Sequence, residues 1–369
     1  MKMYLVIVTK KCRWFLLVLL LIFTFDIDAQ FYGGADVSYL NQMIDCGGQY
    51  RVDGNKVDPF EALANKGMKL ARVRLWHNPT WTDYSDLTDV IKTLERCKQV
   101  NVPTLLDFHY SDTWAHPGQQ LVPEAWKGLS DNLLMDSLYN YTFGVLQRLD
   151  SLDLRPKMVQ IGNETNTEML VLEKRPEKSN INWVRNAKIL NTGIRAVKDF
   201  NIQMQADVEI MIHIAQPENA KWWVKEALEA DVQNFDWIGI SYYPKWSEMN
   251  LAELGKTIKQ LKSFTRKEVM VVETAYPYTL DHFDNAHNLL GTDALLPDFP
   301  ATRRGQTDFL SALVKEIRNN GGRGLIYWEP GWISTNCSTQ WGVGSHWENA
   351  ILFDAADGNN MLPSADFMK

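Results

Sequence analysis

The chain has 369 residues, of which 38 are Lys or Arg and 45 are Asp or Glu, so its formal net charge is −7. This acidic balance disfavours a nucleic-acid partner, because such partners bind basic surfaces. The length allows one large domain or two ordinary ones. The 14 tryptophans and 13 tyrosines fit an aromatic-lined cleft, although most aromatic side chains of a protein pack in its core.

The N-terminus has the parts of a secretory signal peptide. Four basic residues between Lys2 and Arg13 precede an apolar run from Trp14 to Phe23, and Ala29 supplies the small residue of a cleavage site. A membrane anchor is the alternative, but this run is shorter than the ~20 apolar residues that span a bilayer. We therefore predict a signal peptide over residues 1–29 and a mature chain from Gln30.

The predicted mature chain has a net charge of −9, because residues 1–29 hold four basic and two acidic residues. We expect an exported monomer without a membrane span, in the periplasm, at the cell surface or outside the cell. Its three cysteines, Cys46, Cys97 and Cys337, have neither metal-ligand spacing nor the even number of a disulfide framework. A single disulfide bond between two of them is an alternative that the sequence leaves open.

Short apolar runs alternate with amphipathic stretches along the mature chain. Eight candidate strands are Tyr32–Asp36, Lys69–Leu75, Thr104–Phe108, Met158–Ile161, Glu209–Ile214, Trp237–Ser241, Glu268–Val272 and Gly324–Tyr327. Helices are expected after the capping residue Asp58, over Leu87–Val100 and over Asn182–Phe200. Eight such β/α units predict an α/β fold, a (β/α)8 TIM barrel, with residues 30–369 as its single domain.

Charged and aromatic residues follow the predicted strands, where the active sites of barrel enzymes lie. Glu164 ends the fourth strand and Glu273 ends the seventh, so a closed barrel brings both to one mouth. Glycoside hydrolysis uses two such carboxyl groups, ~5–5.5 Å apart when the anomeric configuration is retained. The interpretation is that Glu164 is the acid/base and Glu273 is the nucleophile.

The two roles need different surroundings. Glu164 should have a raised pKa, whereas Glu273 must stay ionised, and we expect Arg74 and Tyr242 to hold it. Any single glutamate is more often a salt-bridged or exposed carboxylate, and three rivals are Glu329, Glu168 and Glu124. Glu329 ranks third, as a hydrogen-bonding or structural acid.

Further strand-end residues are predicted to contact a sugar substrate. They are Asn163, Arg74, His109, Asp112, Trp114, His213, Tyr242, Trp246 and Trp328. For His109 and His213 a structural role is an equal alternative, and for Trp114, Trp246 and Trp332 so is core packing. No HExxH motif or comparable cluster indicates a catalytic metal, so we expect no cofactor in catalysis.

The ordered set of motifs resembles glycoside hydrolase family 53, the endo-β-1,4-galactanases. The resemblance runs from about Gly33 to the C-terminus. Its motifs are Gly34–Ser38, Arg72–Trp76, Asp107–Trp114, Gln160–Glu164, Gly239–Pro244 and Val272–Tyr276. It implies a retaining TIM-barrel hydrolase with Glu164 as acid/base, Glu273 as nucleophile and a groove for β-1,4-galactan or type I arabinogalactan. His116 is a departure, because the family more often has Asp there.

The resemblance also implies a structural calcium, because similar bacterial members hold one in the long loop after the seventh strand. Calcium binds six to eight oxygen ligands. Here Asp281, Asp284 and Asn288 are the candidate ligands, although their spacing departs from the family pattern. The alternative is a solvated acidic loop.

Two other functions stay open. A hydrolase of the same clan acting on mannan or glucan would share the fold and the catalytic pair. A non-catalytic glycan-binding barrel is less favoured, because both glutamates are present.

Overall fold

The computed structural model describes residues 30–177 and 179–369. Residues Tyr32–Lys369 form one compact unit. The predicted signal peptide, residues 1–29, lies outside the described residues. Among the helices of the described part, none has the length and apolar character needed to cross a membrane.

Eight parallel strands close into a barrel in which β1 pairs with both β2 and β8. The strands are β1 Tyr32–Asp36, β2 Leu70–Leu75, β3 Thr104–Phe108, β4 Met158–Ile161, β5 Glu209–Ala215, β6 Trp237–Ser241, β7 Glu268–Glu273 and β8 Gly324–Tyr327. The predicted (β/α)8 barrel is confirmed. Five strands have the predicted bounds, and the other three differ by one residue at one end.

Helices lie between the strands. They are α1 Leu40–Asp45, α2 Pro59–Asn65, α3 Leu87–Gln99, α4 Asp131–Ser151, α5 Trp183–Met204, α6 Pro217–Glu229, α7 Leu251–Thr265 and α8 Arg303–Asn319. Asp58 caps α2 as predicted, accepting hydrogen bonds from the backbone of Phe60 and Glu61. α5 runs four residues beyond the predicted end and stops where Gln205 adopts a left-handed φ of 50°.

Inward side chains of the barrel form stacked layers, because every second residue of a strand faces the same side. The lower layer is an apolar cluster that includes Leu70, Leu105, Met158 and Met211. Each of these residues is followed, two positions later, by a buried polar one: Arg72, Asp107, Gln160 and His213. The apolar layer therefore closes the barrel beneath a polar layer that faces its mouth.

A disulfide bond joins Cys46, after α1, to Cys337, after β8. Their Cα atoms lie 5.7 Å apart and their separation in sequence is 291 residues. The bond left open by the sequence is thus present, while Cys97 is buried and free. A hairpin of Ser338–Thr339 and Gly342–Val343 follows directly, so the bond anchors this hairpin to α1.

The remaining regular segments are short. A four-stranded sheet joins Tyr50–Val52 and Asn55–Val57 to Phe353–Asp354 and Asn360–Met361. Single turns of 3-10 helix occur at Glu124–Trp126, Thr292–Ala294, Glu348–Ala350 and Ala355–Asp357, and a longer one at Pro363–Met368.

Candidate active site

Arg72 is the central cation of the polar layer. Its guanidinium forms ion pairs of 2.9 Å with Asp36, 2.8 Å with Asp107 and 2.9 Å with Glu273. Three buried carboxylates repel one another, and the central cation offsets this repulsion. Arg72 therefore fixes the position of Glu273 relative to β1 and β3.

Glu273 is held at both oxygens. Arg72 contacts Oε1, and the hydroxyl of Tyr243 donates to Oε2 at 3.1 Å. The prediction that Arg74 and Tyr242 hold Glu273 is wrong. Their places are taken by Arg72, one layer lower in the barrel, and by Tyr243, the next residue along the chain. Arg74 lies two residues further along β2 and is therefore one layer higher. Tyr242 is the neighbour of Tyr243, and successive side chains of an extended chain point to opposite sides.

The two mispredicted residues have other partners. Arg74 pairs with Glu329 at 3.1 Å, and Tyr242 donates its hydroxyl hydrogen to the Met249 carbonyl at 3.0 Å. Glu329 also accepts the backbone N–H of Tyr39. Its pairing with Arg74 in the interior agrees with its expected place as a structural acid.

Glu164 leaves β4 in a constrained conformation. Its φ is +45°, a left-handed value that costs a non-glycine residue roughly 1–3 kcal/mol. Its backbone N–H donates to Nδ1 of His213 at 3.2 Å, and the next N–H, of Thr165, donates to the His213 carbonyl at 2.9 Å. Gln120 donates to the carbonyls of Asn163 and Glu164. The turn is thus held from β5 and from the loop after β3.

The carboxyl groups of Glu164 and Glu273 meet across the mouth, as the sequence predicted, although the two residues are 109 positions apart. One oxygen of each lies within 4.8 Å of the other and of a His213 nitrogen. Both His213 nitrogens already have protein partners: Nδ1 accepts from Glu164, and Nε2 contacts the hydroxyl of Ser241 at 2.9 Å. The cluster therefore fits a pair of reacting carboxyls better than a metal centre.

Electrostatics separates the two acids. Burial raises the pKa of Glu164 to about 7, and the hydrogen bond from Ser241 opposes this rise. Burial also raises the pKa of Glu273, opposed by Arg72 and reinforced by the charge of Glu164. Two close carboxylates do not both ionise easily. Because a cation contacts Glu273 and only a neutral hydroxyl contacts Glu164, the charge is favoured on Glu273 and the proton on Glu164.

Asn163 lies between these groups. Its Oδ1 accepts from Arg72 at 2.7 Å, and its Nδ2 donates to the Ala115 carbonyl at 2.8 Å. These bonds orient the amide so that its nitrogen side faces the loop after β3. The substrate contact expected of Asn163 stays a prediction.

Two further predicted residues brace loops at the mouth. His109 receives the Ala115 N–H at Nδ1 and contacts Asp107 through Nε2 at 3.1 Å, which fits the structural alternative. Asp112 accepts from the backbone of Asn78 and Glu124 at 2.9 and 2.7 Å. It therefore ties the loops after β2 and β3 together.

Aromatic side chains cover one side of the mouth. Trp114 lies 6.0 Å from Trp328 and 5.5 Å from Trp341, measured between ring centroids, and Trp328 lies 4.6 Å from Trp347. The indole nitrogens of Trp114, Trp332 and Trp347 are buried without a hydrogen-bond partner in the described part of the chain. Trp246 is 48% exposed and contacts Tyr243.

Arg74 links the aromatic side chains at the mouth, here called the aromatic wall, to the barrel. Its guanidinium carbon lies 4.0 Å from the ring centroid of Trp114, 4.8 Å from that of Trp76 and 4.9 Å from that of Tyr39. Cations attract aromatic faces at these distances. Arg74 thus positions the aromatic wall rather than the reacting carboxyls.

The other rival glutamates have structural partners. Glu168 is buried and pairs with Arg175 at 2.8 Å and Arg185 at 3.1 Å. Glu124 is exposed and pairs with Lys127 at 2.5 Å. Neither belongs to the cluster at the barrel mouth.

The predicted calcium ligands lie in the loop after β7, where the Asn288 amide contacts the Asp281 carbonyl. The carboxylate of Asp284 accepts backbone N–H groups from Ala286 and Ser345, each at 2.7 Å. The Asp281 carboxylate contacts a threonine hydroxyl, while Oδ1 of Asn288 is buried and lacks a hydrogen-bond partner among the described residues. One unpartnered oxygen is a fitting ligand, but the set fits a calcium ion only in part, and its presence stays a prediction.

The sequence missed several members of the site, namely Arg72, Tyr243, Ser241, Gln160 and Gln120. The twofold periodicity of the strands held a signal for two of them. Arg72 and Gln160 each stand two positions after an apolar inward residue, in register with the predicted His213. Ser241, by contrast, is a small residue at a strand end with no distinguishing pattern.

Comparison with known proteins agrees with this geometry. The sequence model for glycosyl hydrolase family 53 matches residues 32–368. An arabinogalactan endo-β-1,4-galactanase from Cellvibrio japonicus is 52% identical over 340 residues, covering 92% of this chain and 90% of the relative. An endo-β-1,4-galactanase from Bacillus subtilis is 30% identical, covering 85% and 73%.

Solved structures give the same assignment. The family 53 catalytic domain from Ignisphaera aggregans superposes with a TM-score of 0.83 at 30% identity, covering 92% of this chain and 96% of that one. A fungal β-1,4-galactanase structure superposes with a TM-score of 0.77 at 28% identity, covering 91% and 98%. A family 10 xylanase, 14% identical with a TM-score of 0.56, shares the fold alone. The chain belongs to glycosyl hydrolase family 53.

Proposed function

We propose that this chain is an endo-β-1,4-galactanase that hydrolyses galactan and type I arabinogalactan with retention of the anomeric configuration. The observation that carries the proposal is the pair of carboxyls from β4 and β7, with oxygens within 4.8 Å and with unlike partners. Such close approach suits direct attack by one carboxylate, because an inverting pair needs room for a water between them.

In the first step the Glu273 carboxylate attacks the anomeric carbon while the C1–O bond to the leaving sugar breaks. Glu164 donates its proton to the departing oxygen, which yields a galactosyl ester on Glu273 and an ionised Glu164. Arg72 and Tyr243 hold the attacking group in place. They also favour its ionised form before attack, because both contacts stabilise negative charge.

In the second step a water molecule attacks the same carbon. Glu164 now accepts a proton from that water, and Glu273 leaves as a carboxylate, so both residues return to their starting state. Two displacements at one carbon restore its configuration. The unlike environments of the two acids support this division of roles.

The substrate is inferred from the relatives and from the aromatic wall at the barrel mouth. The relatives named above are galactanases. The rings of Trp114, Trp328 and Trp341 form one contiguous aromatic group, in which Trp114 and Trp328 follow the ends of barrel strands. Sugars offer an apolar C–H face, which suits an aromatic surface.

The test is product analysis on linear β-1,4-galactan with the wild type and with Glu273→Gln. Proton NMR should show the β-anomer first, and the variant should lose activity by orders of magnitude. Mannan and cellulose are the comparison substrates. Preferential cleavage of either would assign another β-glycan, binding without cleavage would indicate a glycan-binding barrel, and unchanged turnover by the variant would exclude Glu273 as nucleophile.

We also propose that residues 1–29 direct export of a monomer. The Cys46–Cys337 bond supports export, because disulfides persist in oxidising surroundings outside the cytosol.

For calcium, the buried unpartnered oxygen of Asn288 supports a site in the loop after β7. If calcium binds there, its addition to chelated protein should raise the melting temperature, and Asn288→Ala should remove that rise. Equal melting temperatures with and without calcium would contradict the site.

A further inference from the structure

We propose that Ser241 and His213 are positioning residues that assign the catalytic proton to one oxygen, Oε2, of Glu164. The inference rests on the proposed acid/base role of Glu164. It concerns two side chains that do not touch the reacting atoms themselves and act through the Glu164 carboxyl.

A chain of hydrogen bonds joins three neighbouring strands. The hydroxyl of Ser241, at the end of β6, lies 2.6 Å from Oε1 of Glu164, at the end of β4. The same hydroxyl lies 2.9 Å from Nε2 of His213 in β5. The Glu164 backbone N–H donates to Nδ1 of His213 at 3.2 Å, which completes a closed ring of hydrogen bonds among the three residues. His213 and Ser241 are fully buried, so solvent does not compete for these bonds.

The direction of every bond follows from the backbone. A backbone N–H only donates, so Nδ1 of His213 must accept from Glu164. The Gln160 amide nitrogen is also 3.1 Å from Nδ1, but its two hydrogens have closer acceptors in the Asp107 carboxylate and the Gly162 carbonyl. Asn163 Oδ1 is 3.0 Å from Nδ1 but accepts a charged hydrogen bond from Arg72 at 2.7 Å. The Glu164 backbone N–H therefore leaves Nδ1 without a proton.

A neutral imidazole with an unprotonated Nδ1 carries its proton on Nε2. Burial lowers the pKa of His213 well below its usual value, and the neighbouring charge of Arg72 lowers it further, which agrees with the neutral ring. Nε2–H then donates to the oxygen of Ser241. The only hydrogen of the Ser241 hydroxyl is left to point at Oε1 of Glu164.

Oε1 of Glu164 is consequently an acceptor in both protonation states. The acidic proton therefore belongs on Oε2, the oxygen that Ser241 does not contact. A carboxylic acid without this bond has two equivalent places for its proton, and only one of them faces the leaving group. Ser241 thus removes the unproductive arrangement, and it also stabilises the ionised form needed in the second step.

Other groups act on Glu164 as well, and they stay constant when Ser241 is changed. The charged and titratable groups near it are Arg72 of β2, Asp107 of β3, Glu177 of the loop after β4, Tyr243 after β6 and Glu273 of β7. A change in the pH profile of a Ser241 variant therefore reports the lost hydroxyl.

The test compares Ser241→Ala with Ser364→Ala, a control in which another buried hydroxyl, bonded to Gln306, is lost. In Ser241→Ala the alkaline limb of kcat/KM should move to higher pH, because a bond that favours the ionised carboxyl is gone. Turnover of galactan should fall about tenfold, as a fraction of the 10²–10⁴ that general acid catalysis supplies. Hydrolysis of a 2,4-dinitrophenyl galactobioside, whose leaving group needs no proton, should fall less.

The control should keep the wild-type profile. An unchanged alkaline limb in an active Ser241→Ala enzyme would overturn the inference while leaving the proposed function intact, whereas an inactive wild type would remove the proposed function itself. Nitrogen-15 NMR of histidine-labelled wild type gives a second test that needs no variant. It should find His213 protonated at Nε2, and a proton at Nδ1 would overturn the inference.

Discussion

At the scale of single residues, two glutamates of identical chemistry differ because their neighbours differ. Glu273 has a cation and a phenol at its two oxygens, whereas Glu164 has a neutral serine hydroxyl. The cation and the phenol favour a carboxylate at Glu273, whereas burial without a contacting cation favours a carboxylic acid at Glu164. Opposite environments for two like groups are what a two-carboxylate mechanism needs.

The raised pKa of Glu164 predicts a pH dependence. Glu164 must be protonated to act as the acid, and burial raises its pKa to about 7. We therefore expect kcat/KM on galactan to fall about tenfold per unit of pH well above this value. The check is a kcat/KM profile measured from pH 5 to 10. A rate that stays constant to pH 10 would contradict the role of Glu164.

At the scale of elements, the sequence predicts the strands well because several are nearly continuous apolar runs, as strands buried on both faces are. The ends of β4 and β7 also locate both glutamates. The sequence does not tell Arg72 from Arg74 as the partner of Glu273, because both face inward and only the stagger of neighbouring strands decides the layer. Nor does it single out Ser241, whose importance comes entirely from contacts with β4 and β5.

The apolar layer beneath the site should carry much of the stability. Leu105 in β3 is fully buried in that layer, whereas Leu133 in α4 is 54% exposed. We expect Leu105→Ala to lower the free energy of unfolding by about 2–5 kcal/mol, since it removes buried methyl groups and leaves a cavity. Leu133→Ala, as the control, should change it by less than about 0.5 kcal/mol. Urea denaturation measures both, and equal effects would contradict the layered core.

At the scale of the whole molecule, residues close to the two ends of the barrel sequence are joined beside the mouth. The Cys46–Cys337 bond links the loop after α1 to the loop after β8. The hairpin that follows Cys337 carries Trp341, which contacts Trp114 and Trp332. The bond is therefore expected both to stabilise the whole protein and to hold Trp341 in the aromatic wall.

Removal of this bond should be measurable in two ways. The variant with Cys46→Ser and Cys337→Ser should lose about 2–4 kcal/mol of unfolding free energy, because its unfolded chain gains freedom. The KM for galactan should rise as Trp341 loses its anchor. Reduction with dithiothreitol should reproduce both effects in the wild type and have none in the variant. Identical denaturation midpoints for oxidised and reduced wild type would contradict the stabilising role.

The attack of Glu273 on the anomeric carbon is the central claim, and the most direct measurement is to trap its product. A 2-deoxy-2-fluoro galactobioside with a dinitrophenyl leaving group should react once and leave a stable ester on the enzyme. Mass spectrometry of the digested protein should find the added mass on the peptide that contains Glu273. A label on Glu164 or Glu329 instead, or hydrolysis to the inverted product without any label, would contradict the account.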